Sequence, residues 1–177
     1  MKIMIPLADG FEEIEAMTII DVLRRAGIKA ETVGVVGSSI ESKNGVRVMT
    51  DKRLNQVNAD EYDGIVLPGG YPGYVNLGRS SGLINIIKQL NAKKKLVGAI
   101  CGAPSILAKH GILDDKRATI YPGNEKLLPY PRGNKVVVDE NIITSQGPGT
   151  AMEFSLVIVK ELLGSEITQR LRRELVV

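Results

Sequence analysis

The sequence predicts an α/β fold, a doubly wound and mainly parallel sheet with a small antiparallel hairpin attached. Two observations carry this. Short apolar runs of strand length alternate with segments of helical period, and strands joined by crossover helices lie parallel. An Asn44-Gly45 pair interrupts that alternation, and Asn-Gly accepts the positive φ angles of a tight hairpin turn.

The elements follow in order. Residues 2–8 read as a buried strand, closed by a loop at Asp9-Gly10, and residues 12–26 as a helix that stops at Gly27, a C-terminal cap position. A second strand over 30–36 leads to the hairpin turn at Ser42-Lys-Asn-Gly45. Residues 64–67 make a short strand that runs into Pro68-Gly69-Gly70. Helical period resumes over 80–92, followed by a strand over 96–100 and a helix that ends before Gly111. The polar, Pro-containing stretch 117–134 carries no clear period. Strands over 135–139 and 142–145 flank a turn at Asp139-Glu140-Asn141, and helices over about 149–163 and 165–174 close the chain. No repeat, linker or low-complexity segment divides it, so residues 1–177 are expected to form one domain. Ligands of such sheets bind at the carboxyl ends of the strands, and three loops leave from that edge.

Composition narrows the function classes. Hydrophobic residues make up 44% and charged ones 24%, an ordinary globular balance, and the net charge of +3 is mild. Lys93-Lys94-Lys95 and the arginines at 170, 172 and 173 are not interleaved with aromatics, so they read as solvated surface and no nucleic-acid partner is expected. No apolar run approaches the ~18 residues that span a bilayer. One cysteine excludes an intrachain disulfide, and the first residues begin directly as a strand with no signal peptide ahead of them. The expectation is a soluble cytoplasmic protein.

The lone cysteine, Cys101, falls where the strand over 96–100 turns abruptly into a helix through Gly102, Ala103 and Pro104. Small residues permit the tight turn, and Pro is tolerated in a first helical turn because its missing N–H has no partner there. Such an elbow holds a side chain up at the sheet edge. Backbone N–H groups and the positive end of the helix would favour thiolate and depress the thiol pKa. A buried structural cysteine is the alternative, since free Cys is among the most buried residue types.

Glu15 is the second candidate. At ~100° per residue it lies on the stripe of Ile19, Val22 and Ala26, inside the apolar arc of its helix. A carboxylate there is costly to desolvate, so it must be paired or partly protonated. Glu12 sits in the first turn, where the helix dipole accounts for an acid, and Glu13 falls at the margin of the apolar arc. The consecutive glycines Gly69 and Gly70 present backbone N–H groups suited to an oxyanion, or form a plain tight turn. His110, the only histidine, follows Cys101 by nine residues, ~13 Å along a helix axis, whereas proton transfer needs contact within ~3.2 Å. It reads as a partner of the helix C-terminus rather than a base. A single Cys and a single His also exclude a Cys/His zinc site, and no metal or cofactor is expected.

Five segments together resemble the ThiJ/PfpI superfamily, in the branch of the parkinsonism-associated protein deglycase and its bacterial chaperone-like relatives. They are Asp9-Gly-Phe-Glu-Glu-Ile-Glu15, Asp21-Val-Leu-Arg-Arg-Ala-Gly27, Leu67-Pro-Gly-Gly70, Ala99-Ile-Cys101-Gly-Ala-Pro104 and Thr144-Ser-Gln-Gly-Pro-Gly-Thr150. The resemblance implies a flavodoxin-like three-layer sandwich, a homodimer, a reactive cysteine at Cys101 with Glu15 beside it, and backbone donors at Gly70 and Gly102. Many relatives carry a histidine near the cysteine, and here Tyr121 takes that place. A phenol, with a pKa near ~10, is a poor base at neutral pH, which weakens a peptidase reading. The resemblance implies cysteine-dependent protection against reactive carbonyls; the residues themselves supply a thiol, a carboxylate and backbone donors. Cys101 would act as nucleophile and Glu15 as general acid/base toward methylglyoxal, its early adducts or a glycated protein. The alternatives are a redox-sensing, chaperone-like protein with an oxidisable Cys101, and an intracellular cysteine peptidase or amidase.

Overall fold

A computed structural model describes residues 1–177. The strands are β1 (Lys2–Leu7), β2 (Lys29–Gly34), β3 (Ser39–Glu41), β4 (Arg47–Met49), β5 (Lys52–Arg53), β6 (Gly64–Leu67), β7 (Leu96–Ile100), β8 (Arg117–Ala118), β9 (Tyr130–Pro131), β10 (Val136–Asp139) and β11 (Ile142–Ser145). The helices are α1 (Glu13–Arg25), α2 (Gly73–Arg79), α3 (Ser81–Ala92), α4 (Pro104–Lys109), α5 (Ala151–Leu163) and α6 (Ser165–Leu175).

Seven strands form the main sheet in the order β10-β11-β7-β6-β1-β2-β5. All neighbours are parallel except the edge pair β10–β11. Read along the chain, β2-β1-β6-β7-β11 is the flavodoxin-like order, whose switch point lies between β1 and β6. Strands buried on both faces read as continuous apolar runs, and β6 and β7 are buried at every position. Two apolar clusters cover the two faces. One packs Ile19 and Leu23 of α1 against Phe154 and Ile158 of α5, and the other gathers Leu77, Leu83, Ile87 and Leu107 from α2, α3 and α4. This is the three-layer α/β sandwich.

The structure departs from the sequence reading in detail. The turn at 42–45 does join an antiparallel pair, β3 and β4, but it stands apart from the main sheet. Helix α2 lies where no element was expected, and its glycine-rich sequence is held by tight packing. A Cβ on Gly73 would come within 2.5 Å of the Phe11 nitrogen. The unassigned stretch 117–134 contains the two-residue strands β8 and β9, paired in parallel. Helix α4 is only Pro104–Lys109, so Cys101 precedes it rather than sitting in its first turn.

Candidate functional site

Three loops meet at the carboxyl ends of β1, β6 and β7. After β1, Glu12 caps α1, accepting the Glu15 N–H at 2.8 Å. That fixes the helix start and turns Glu15 inward, where it is fully buried. After β6, Gly69 donates its N–H to Glu15 Oε2 at 2.7 Å, while its carbonyl accepts the Glu12 N–H at 3.0 Å. Only glycine fits here. A Cβ on Gly69 would lie 2.4 Å from the Cys101 Cβ and 2.8 Å from Glu15 Oε2. Gly69 is therefore wedged between the thiol-bearing residue and the buried carboxyl.

After β7 the chain makes the sharp elbow. Cys101 has φ of +64°, a left-handed conformation costly for a non-glycine residue. It is held from both sides: its N–H donates to the Ser145 carbonyl at 3.0 Å, and its carbonyl accepts the Tyr121 N–H at 2.9 Å. The thiol is half-buried and opens on a cavity of about 390 Å³ lined by Glu12, Lys43, Gly70, Tyr74, Gly102 and Tyr121, among others. Tyr121, 48% exposed, thus borders the same cavity as the cysteine. His110 does not. It caps α4 and lines separate grooves.

The electrostatics correct one expectation. Burial pushes the Glu15 carboxyl up to about 7, against the Gly69 N–H and the Cys101 thiol, which favour the ionised form. Burial and the Glu15 charge push the Cys101 thiol up to about 12, while the Gly70 and Gly102 N–H groups pull the other way. A depressed thiol pKa, expected from the helix terminus alone, does not hold: burial, with the Glu15 charge added to it, outweighs the backbone N–H groups. The pair therefore holds at most a single negative charge near neutral pH. Glu15 Oε1 is buried with no hydrogen-bond partner, which also favours the protonated acid.

Glu13, at the margin of the apolar arc, is tied away from the pair. Its carboxylate accepts from Ser42 Oγ at 2.5 Å and from the Asn44 N–H at 2.8 Å, pinning the β3–β4 turn to α1. That turn delivers Lys43 to the cavity wall, close enough to act on Glu15. Lys43 and Tyr74 were not anticipated. The only sequence signal was the turn itself, which said nothing about where its side chains would point. No group of three or more His, Cys, Asp or Glu side chains is placed to hold a metal ion.

The DJ-1/PfpI family profile matches residues 1–161. The chain belongs to the DJ-1/PfpI family. Protein dj-1beta of Drosophila melanogaster is 42% identical over 176 residues, covering 97% of this chain and 94% of its own. The glutathione-independent glyoxalase DJR-1.2 of Caenorhabditis elegans is 35% identical over 177 residues, covering 98% of this chain and 94% of its own. Among solved structures, oxidized Toxoplasma gondii DJ-1 superposes with a TM-score of 0.96 at 36% identity, over 99% of this chain and 97% of that one. Membership of the DJ-1/PfpI family agrees with the flavodoxin-like fold, and the relatives of this chain include one named as a glyoxalase. No helix is long and apolar enough to cross a membrane.

Proposed function

We propose that the protein converts reactive α-oxoaldehydes such as methylglyoxal, free or as early adducts on amines and proteins, to hydroxy acids. The observation that carries this reading is the wedging of Gly69 between the buried Glu15 carboxyl and Cys101, whose thiol opens on the cavity. In the reactive form the proton passes from sulfur to Glu15, leaving thiolate beside a neutral acid. With the carboxylate charge gone, one of the two effects that oppose thiolate is removed, and the Gly70 and Gly102 N–H groups are left to work against burial alone. Sulfur attacks the aldehyde carbon to give a hemithioacetal, whose oxygen is held by the same donors. Glu15, once ionised, removes the proton from that carbon and returns it to the adjacent one, which leaves a thioester of the hydroxy acid. Water then cleaves the C–S bond, releasing lactate and regenerating the thiol. No redox partner is consumed. A pKa of about 7 suits a group that must both accept and give a proton near neutrality.

The second reading, a redox-responsive protective protein, uses the same half-buried thiol. Two equivalents of peroxide would carry it through sulfenic to sulfinic acid, with protonated Glu15 and the backbone donors holding the product. A peptidase is disfavoured because the only histidine, His110, lines other grooves and Tyr121 borders the cavity in its stead. The homodimer and the cytoplasmic setting remain part of the proposal, supported by family membership. Following methylglyoxal loss and lactate formation with the wild type and Cys101→Ala tests it. Turnover that depends on Cys101 supports the enzyme. Absent turnover with rapid Cys101 oxidation by peroxide overturns it in favour of the sensor.

A further inference from the structure

Away from the cysteine, α2, α3 and α4 enclose two adjoining grooves of about 350 and 270 Å³. They share Gly78, Arg79 and His110, so the imidazole and the guanidinium stand at their common border. Lys109 lines the first groove and Lys88 the second. None of Arg79, Lys88 and Lys109 is ion-paired. Other basic side chains of the molecule are also unpaired; what distinguishes these three is that they line one adjoining pair of grooves. His110 Nε2 is buried without a hydrogen-bond partner. Burial, Lys88 and Lys109 all hold the imidazole below its ordinary pKa, as expected of a nitrogen base packed among uncompensated cations. No Asp or Glu lines either groove; Asp114 lies over Gly111, where an added Cβ would be 3.2 Å from its Oδ2.

We infer that these adjoining grooves bind the phosphate group of a small organic phosphate at their common border, with Arg79 and the His110 imidazole at that border, Lys109 on one side and Lys88 on the other. A doubly charged anion matches several converging cations better than a carboxylate does, and the guanidinium fork suits phosphate oxygens. Tyr74, Val75 and Ile106 supply a less polar flank for the organic part. The site is separate from Cys101, although Tyr74 also walls the cysteine cavity.

The single histidine makes the test direct, because its ring proton is one resolved resonance. The His110 pKa is measured by proton NMR with inorganic phosphate, with phenyl phosphate, and with sodium chloride at matched ionic strength. The expected result is a saturable rise of about one unit, the low end of what an opposite charge at ~4–6 Å produces, reached at lower concentration with phenyl phosphate. The rise should vanish in an Arg79→Gln/Lys109→Gln double variant and persist in Cys101→Ala. An equal rise with sodium chloride, no rise at all, or a rise that survives the double variant would overturn the inference. Equal half-saturation by the two phosphates would remove the organic part from it.

Discussion

Glu15 sits in the molecule at a thermodynamic cost, and that cost sets its first prediction. Its pKa is raised from 4.5 to about 7 by burial, so the unfolded chain loses this proton first as pH rises. Stability conferred by the neutral form is complete below about 4.5 and is lost as pH climbs through 7, by roughly 3 kcal/mol at ~1.4 kcal/mol per unit. Glu15→Gln keeps a neutral group of the same shape. It should therefore raise stability to denaturant at pH 8 by up to roughly that amount, change it little at pH 4, and abolish turnover. Equal stability of the two proteins at pH 8 would contradict the raised pKa. Tyr121 is a milder case. It borders the cavity, where its hydroxyl can contribute one hydrogen bond. Tyr121→Phe should slow lactate formation two- to twelvefold, the worth of one hydrogen bond of ~0.5–1.5 kcal/mol. A thousandfold loss in kcat would mean that the phenol does more than orient substrate.

At the scale of elements, the loop Pro68–Gly73 decides whether the site exists. Its glycines let backbone pass within contact distance of Glu12, Glu15 and Cys101, and Gly70 adopts φ of +91°. Gly69→Ala should cost roughly 1–3 kcal/mol of stability through overpacking, and should cut turnover far more, since the added methyl separates the thiol from the carboxyl. Thermal unfolding and steady-state kinetics on one preparation check both; undiminished turnover would be inconsistent with the wedge. Elements of this kind also mark what the sequence made legible. The apolar runs at 64–67 and 96–100 name β6 and β7 to the residue because strands buried on both faces leave no ambiguity. Glu15 could be singled out because helical period places it among Ile19 and Val22, a position a carboxylate does not occupy without reason. Helix α2 could not, since its glycines argue against a helix until the Gly10–Phe11 backbone packs against Gly73 and Ile106 against Gly78. The two-residue strands β5, β8 and β9 carry no periodic signal, being pairings made by tertiary contact. The thiol pKa was misjudged because its perturbers, burial first and the Glu15 charge second, both arise only when the fold closes over the elbow and brings a residue distant in sequence beside it.

Across the whole molecule, opposite ends of the sheet do different work. The carboxyl ends hold the strained elbow and the raised pKa values. The other end is a charge network: burial opposes ionisation of Glu31, but Tyr62 Oη, Lys2 at 3.1 Å and Lys29 at 3.2 Å overcome it and hold its carboxyl down at about 2. A depressed carboxyl stabilises the fold above its unfolded value and loses that effect as pH falls, here between about 4.5 and 2. Acid unfolding should therefore begin in that window and move toward neutrality in Glu31→Gln; an unchanged acid midpoint would show that the network is incidental to stability. The fold class and the strand order follow from the alternation of elements. The cavity does not, because Lys43, Tyr74 and Asn124 reach it from three separate loops or helices with no local signature.

The account rests on Cys101 and Glu15 acting as one unit, and lactate-forming kcat/KM of four proteins tests this most directly: wild type, Cys101→Ala, Glu15→Gln and the double variant. Groups that work in one mechanism are strongly non-additive when removed. Each single variant should fall at least about a hundredfold, to a common background, and the double variant should fall no further. Glu15→Gln retaining activity within about tenfold of wild type, below the usual contribution of a positioned acid or base, would contradict the account, and so would losses that multiply in the double variant.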